Sequence, residues 1–556
     1  MEENKDQKVG FNTAAKVVEN TEPAADTASE PVFDPLDMKN YRIEKLPKIK
    51  KSGFEKYMAM AGGPLALLAF VLIYFVVDIP FLNNLDFLGL GESAIARYEK
   101  LGAEEFVRIN YAMLGIFVAS AILWITEAVP NYLTSLFVIL ATVLTQITTD
   151  KEAYAQLGHP IMWLNILSFV LASMLVKTQV AKRFALWFVL KFGKNSAGII
   201  FSFIIINIVL SAFISATTAK ATILLPIFMV VAAIYGAKDG KRNNFGRNIV
   251  LQNLFQINMG ASGFLTGSGA NLLAASLIAG ALGSEIFFGT WLAAAFPLAI
   301  TLILIGWYVG SKIFFPIAKE EDKPQIEGGM EYLKKELDLM GKMTFDEYKS
   351  VILFVSILIL WATDSIHGIN QTTVAFCGAV LALTPRIGVV KWNDIDIPWH
   401  LMIFSAGAYT LGAGLKITDL PATMVDASFD AMGITAETPF WCLYLVLTGL
   451  MIFSGLIFQS KTMRALIFVP IAIGTAQKFG YPVMSLAFPV ALLIEHVYTF
   501  PFNSKPAAVL YTTNQYSISD SFKFGFTMMC TAYLFIMIWG ETVLRWLGHT
   551  EGLFFR

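Results

Sequence analysis

The chain has 556 residues, of which 56% are hydrophobic and only 15% charged, with a formal net charge of −1. Soluble domains carry roughly 25% charged residues, so a mean hydropathy of +0.61 excludes an ordinary soluble protein, and the balanced charge leaves no basic domain for nucleic acid. Apolar runs long enough to cross a bilayer, about 20 residues each, recur throughout and predict an all-α polytopic membrane protein.

Residues 1–37 are polar and acidic, without the apolar core of a signal peptide, and residues 1–52 read as a disordered cytoplasmic tail. Its end, "KNYRIEKLPKIKKSGFEK" at 39–56, carries seven Lys or Arg just before the first apolar run. The positive-inside rule places this end in the cytoplasm of a plasma or inner membrane. Two further basic stretches, "AKDGKRNNFGR" at 237–247 and the linker 316–346, fall on the same side. Threading spans between these anchors predicts about eleven crossings. They lie near 57–78, 110–128, 131–148, 160–193, 248–282, 288–315, 348–365, 371–387, 399–435, 484–515 and 523–546, which leaves the C-terminus outside. Cys377, Cys442 and Cys530 lack metal-ligand spacing, and no catalytic constellation is present, so neither an enzyme nor a resident cofactor is expected.

Two segments do not fit as single crossings. Residues 198–236 and 440–477 are too long, and each is interrupted by small hydroxyl residues and a lysine: "FISATTAKATILLPI" at 213–227 and "FQSKTMRALIFVPI" at 458–471. They read as two re-entrant hairpins. The halves 53–315 and 347–556 also echo each other elsewhere. "LWITEAVPNYLTSLFVI" (123–139) resembles "LWATDSIHGINQTTVAF" (360–376), pairing Trp124 with Trp361 and Glu127 with Asp364. An odd number of crossings separates equivalent elements, so the halves insert as inverted repeats. Interrupted helices at matching places in such repeats point to a midplane binding site.

Non-helical backbone in a bilayer is costly unless it lines a cavity or is packed in protein. At a break, helix N-termini free N–H groups and present a partial positive charge to an anion. Ser215, Thr217, Ser460 and Thr462 add hydroxyls at the two tips. Each hairpin is followed by a companion break: "GASGFLTGSGAN" at 260–271, with Gly267, Ser268 and Asn271, and "FPFNSKPAAV" at 500–509, with Ser504, Lys505, Pro501 and Pro506. Any one hydroxyl taken alone is as readily explained by bonding to its own helix; the symmetric set is not. Lys220, Lys461 and Lys505 fall in these breaks, with Arg464 one turn beyond Lys461. Ionisable groups at such depth are functional candidates by default.

The paired tips, the "WITEAVP" stretch and the "GSGAN" loop resemble the divalent anion/sodium symporter family of di- and tricarboxylate transporters over roughly residues 55–546. That resemblance implies a homodimer of elevator type, with scaffold and transport parts, that holds a small anionic carboxylate between the tips. Family members carry Ser-Asn-Thr at both tips and use them for sodium and carboxylate. Here the tips read Ser215-Ala216-Thr217 and Ser460-Lys461-Thr462, and the second loop reads Ser504-Lys505-Pro506-Ala507. A lysine ammonium beside a sodium site would repel the ion. The departure therefore leads to the expectation that Lys461, with Lys505, supplies the charge that sodium supplies elsewhere. On this reading the chain exchanges dicarboxylates such as succinate, malate, fumarate or 2-oxoglutarate without sodium. Sodium-coupled symport of di- or tricarboxylates, or of sulfate, is the alternative, with one Na+ site surviving near Ser215 and Gly267.

Overall fold

The computed structural model describes residues 36–38, 53–83, 85, 90–237, 242–432, 438–458 and 460–554. The tail and basic segment expected over 1–52 lie outside these, apart from residues 36–38. All described residues belong to the unit Pro35–Arg556. Helices make up its regular structure, with no strand among the described residues.

Eight helices among the described residues are long and apolar enough to span a membrane, and five shorter apolar helices accompany them. The hairpins form where the breaks predict. The first pairs Ser196–Phe213 with Thr217–Ile234, and the second pairs Phe440–Ser454 with Lys461–Lys478. Both return helices carry an internal proline, Pro226 or Pro470. Each hairpin is followed by a broken helix: Asn244–Gly263 then Gly269–Leu282, and Val483–Leu492 then Lys505–Tyr511.

Two further predicted spans, 160–193 and 399–435, also divide. The segment 160–193 divides into Pro160–Thr178 and Val180–Phe192 at Gln179, whose φ is 56°. The segment 399–435 divides into Trp399–Thr418 and Leu420–Met432 at Asp419, whose φ is 52°. A left-handed residue ends an α-helix because the following N–H can no longer reach the carbonyl four residues back. The interruptions occupy equivalent places, just ahead of each hairpin, so they too belong to the repeat. The halves also touch here: Lys177, at the end of Pro160–Thr178, bonds Asp394, just ahead of Trp399–Thr418, at 2.6 Å.

Helix Asn244–Gly263 explains its own low apolarity. Asn248, Gln252, Asn253, Gln256 and Asn258 are all buried along it. Asn207 of the first hairpin donates to Asn253 Oδ1 at 2.8 Å and Gln256 Oε1 at 3.0 Å. Polar side chains can sit at membrane depth when they satisfy one another within protein, and the hairpin supplies that sheath. Among the crossings behind it, Asn131–Leu144 packs against Trp399–Thr418 so closely that a Cβ on Gly407 would fall 2.3 Å from Ser135 Cβ.

Candidate functional site where the hairpin tips meet

Four helices begin at the breaks, with first residues Thr217, Gly269, Lys461 and Lys505. Three have a serine at the preceding position that caps its own helix. Ser268 accepts from Asn271 N, Ser460 from Met463 N and Ser504 from Ala507 N, each at 3.3 Å. These serines thus satisfy one of the free N–H groups that every helix start exposes. Ala216, ahead of Thr217, offers no side-chain cap. Its neighbour Ser215 is buried, while Thr217 and Thr462 are half-buried.

The tips of the two hairpins touch. Lys461 Nζ lies 3.5 Å from Thr217 Oγ1. The same ammonium forms an ion pair with Oε2 of Glu495, a residue of the loop following Val483–Leu492. Ser268 donates to Oε1 of that carboxylate at 2.5 Å. Glu495 is fully buried, and Lys461 keeps 12% of its side chain exposed. One carboxylate and one ammonium thus join both hairpin tips and both companion breaks. Asn503 adds a second tie by donating to Gly455 O at 2.6 Å, which fastens the second break to its own tip.

This differs from the sequence expectation in one respect that matters. Lys461 is not a bare cation, because Glu495 engages it. Nor does Lys505 join the cluster: it is the exposed first residue of its short helix. Lys220 is fully buried, donating to Ser211 Oγ at 2.9 Å with Ile257 O at 3.5 Å, so it braces the first hairpin against the polar helix. Arg464 is fully buried as well. Its guanidinium donates to Ser454 Oγ at 2.9 Å, Ile494 O at 2.8 Å, His496 O at 3.3 Å and the carbonyl of Met451. Those carbonyls belong to two helix ends that the breaks leave open, and a planar fork of five donors is suited to closing them.

At the first break the backbone approaches itself too closely for a side chain. A Cβ on Gly267 would fall 2.2 Å from Ala261 O. Asn271 stitches the loop by donating from Nδ2 to Ala261 O at 2.9 Å and Phe264 O at 3.0 Å. Those two bonds fix which way the amide points. Its Oδ1 and the nearby Thr266 Oγ1 are buried acceptors without a hydrogen-bond partner. A cavity of about 670 Å³ lies away from the tips, lined by His159, Ser276, Tyr409, Lys416 and Pro470 among others. It runs along the boundary between Trp399–Thr418 and the helices Gly269–Leu282 and Lys461–Lys478. Lys416 crosses it to bond Gly280 O at 2.7 Å.

The profile of the sodium:sulfate symporter transmembrane region matches residues 105–550. A membrane protein of Cupriavidus necator is 24% identical over 78% of this chain and 87% of its own length. The sodium-dependent dicarboxylate transporter SdcS of Staphylococcus saprophyticus is 25% identical over 77% of this chain and 86% of its own. The protein of the same name in Staphylococcus aureus is 24% identical over 77% and 84%. Among solved structures, the YdaH transporter of Alcanivorax borkumensis aligns with a TM-score of 0.46 and 14% identity, over 74% of this chain and 88% of that one. That likeness is too distant to bear on function.

Proposed function

The chain belongs to the sodium:sulfate symporter family, and on that premise we propose that it is a secondary transporter that carries dicarboxylates across the membrane. The observation that carries this reading is the meeting of the two hairpin tips at Lys461 and Thr217. A small dianion needs cationic and hydrogen-bonding groups that converge from two sides. Ser215, Thr217, Ser460 and Thr462 supply hydroxyls, the return helices supply N–H groups, and Lys461 supplies an ammonium. The relatives named as dicarboxylate transporters support the same substrate class.

For the coupling, the side chains shift the weight from exchange toward sodium-coupled symport. The exchange expectation takes Lys461 as a charge free to replace sodium, whereas Glu495 neutralises it. Two buried, unpartnered oxygens, Asn271 Oδ1 and Thr266 Oγ1, fit a small hard cation, which takes oxygen ligands. They would hold Na+ at the first break, and the ion would add positive charge beside the substrate. The names of the Staphylococcus relatives agree with this. Exchange is the second reading, favoured by the buried Arg464, whose charge would hinder the return of an empty carrier. The homodimer and the elevator motion belong to this proposal too. The cavity between Trp399–Thr418 and the hairpin region supports a boundary along which one part could slide.

Uptake of labelled succinate into proteoliposomes tests both levels. Sodium-coupled symport requires uptake driven by an inward sodium gradient into liposomes lacking internal substrate. Uptake that ignores sodium and needs internal dicarboxylate would replace it with exchange. No succinate, malate, fumarate or 2-oxoglutarate movement under either condition would refute the carrier reading itself.

A further inference from the structure

The charged groups at the tips are not distributed evenly between the repeats. Aligning Ser268 with Ser504 places Met259 opposite Glu495, and aligning the tip serines Ser215 and Ser460 places Ala216 opposite Lys461, so the ion pair has no counterpart in the first half. Among the described residues, the charged side chains buried in the hairpins and breaks are Lys220, Arg464 and Glu495, with Lys461 nearly so. Where the tips meet, the Lys461 ammonium and the Glu495 carboxylate offset each other, so removing either one shifts the local charge by one unit.

We propose that Glu495 is a specificity-determining residue that sets the charge of the preferred substrate, favouring a dianion over a trianion. The inference rests on the carboxylate-carrier reading but not on how transport is coupled, because it concerns a difference between substrates at one site. Both oxygens of Glu495 are committed, one to Ser268 and one to Lys461, so the carboxylate stays where it is and acts through its charge. A fixed negative charge repels a trianion more than a dianion, the difference being its repulsion of the added carboxylate. For a charge separation of about 8 Å in an intermediate dielectric, one unit of site charge would change preference by about tenfold or more for each extra unit on the substrate. Paired with Lys461, it also spares the tip an uncompensated ammonium that would hold any anion too tightly to release.

The test is a charge series in proteoliposomes at pH 7.5: wild type, Glu495→Gln, Lys461→Gln and the double variant Lys461→Gln/Glu495→Gln. Unlabelled succinate and citrate compete against labelled succinate, and the readout is the ratio of their half-inhibitory concentrations. Relative to wild type, the charge where the tips meet is one unit more positive in Glu495→Gln, unchanged in the double variant and one unit more negative in Lys461→Gln. The relative preference for citrate follows that order, rising about tenfold in Glu495→Gln and returning to within about threefold of wild type in the double variant. A ratio that does not move with charge, or a double variant that keeps the Glu495→Gln ratio, overturns the inference while leaving dicarboxylate transport standing. Should Glu495→Gln fail to fold, the comparison of Lys461→Gln with the double variant decides alone. Wild type that moves no carboxylate overturns both readings.

Discussion

Replacing Lys461 by methionine keeps the length of the side chain but removes the ammonium, leaving the Glu495 carboxylate buried with Ser268 as its remaining donor. Glu495 is fully buried and Lys461 is 12% exposed, so solvent screens the pair little. Removing one partner of such a pair costs about 3–5 kcal/mol, chiefly as the penalty of the orphaned charge. Glu495→Gln is milder, since its amide can still bond Ser268 and the ammonium keeps some access to water. The double variant removes both charges and with them the penalty. The reasoning therefore requires strong non-additivity, with a coupling energy of at least about 1.5 kcal/mol between two residues in direct contact. Purified variants are compared by scanning fluorimetry at one heating rate, where Lys461→Met lowers the apparent melting temperature by about 5 °C or more. Recovery of more than half of that loss in Lys461→Met/Glu495→Gln is the expected result. Simple addition of the two single losses would refute the claim that these residues form one unit across the tips.

Other substitutions probe neighbouring parts of the same arrangement. Gly267→Ala drives a Cβ into Ala261 O at 2.2 Å, backbone against backbone, and is expected to cost about 3 kcal/mol and to reduce the monodisperse fraction in size-exclusion chromatography. Asn271→Leu removes the side-chain hydrogen bond that the Ala261 and Phe264 carbonyls each accept besides one from a loop N–H, at about 1 kcal/mol each, and is expected to abolish succinate uptake and its sodium dependence together. Arg464→Lys is expected to be nearly as damaging to thermal stability as Arg464→Met, because a compact ammonium cannot close the separate carbonyls that the guanidinium reaches. Lys505→Ala, at an exposed position, is expected to leave uptake within about twofold of wild type. On the linker side, Arg183 pairs with the buried Glu347 at 2.6 Å. Burial pushes that carboxyl upward, but the bonds from Arg183 and the Thr344 amide outweigh it and hold the value below 4.5. Its stabilising contribution is thus present above the unfolded value and lost only as pH falls through the lowered one. Stability measured from pH 7 to pH 3 should fall more steeply in wild type than in Arg183→Met at the acid end.

Much of this arrangement is legible in the residues themselves. The hairpins fall within two residues of their predicted limits because a run of small hydroxyls in an apolar segment marks a break, and the same break occurs twice. The companion breaks are equally visible through Gly267 and through Pro501 and Pro506. The turns at Gln179 and Asp419 escape because a left-handed residue that is not glycine is set by packing around it, not by its own preference. "VKTQVAKRF" and "LKITDLP" do carry polar residues at those places, a signal that span-length reasoning passes over. Glu495 is the instructive omission. It stands alone in "ALLIEHVYTF", and the rule that singles out the intramembrane lysines applies equally to an intramembrane carboxylate. Its partner could not be read from order alone, because Lys461 is 34 residues away and Ser268 is 227. Lys505 shows the converse: a charged residue in a break can remain at the surface of it.

Protection of the tips by substrate tests the account most directly. With Cys377, Cys442 and Cys530 replaced by serine, a single cysteine is introduced at Thr462 or Thr217, and its rate of alkylation by a maleimide is measured in membranes. Millimolar succinate should slow labelling at both positions severalfold, and acetate should not. Equal rates with and without succinate at both tips, in protein that still transports it, would mean that the dianion is held somewhere else.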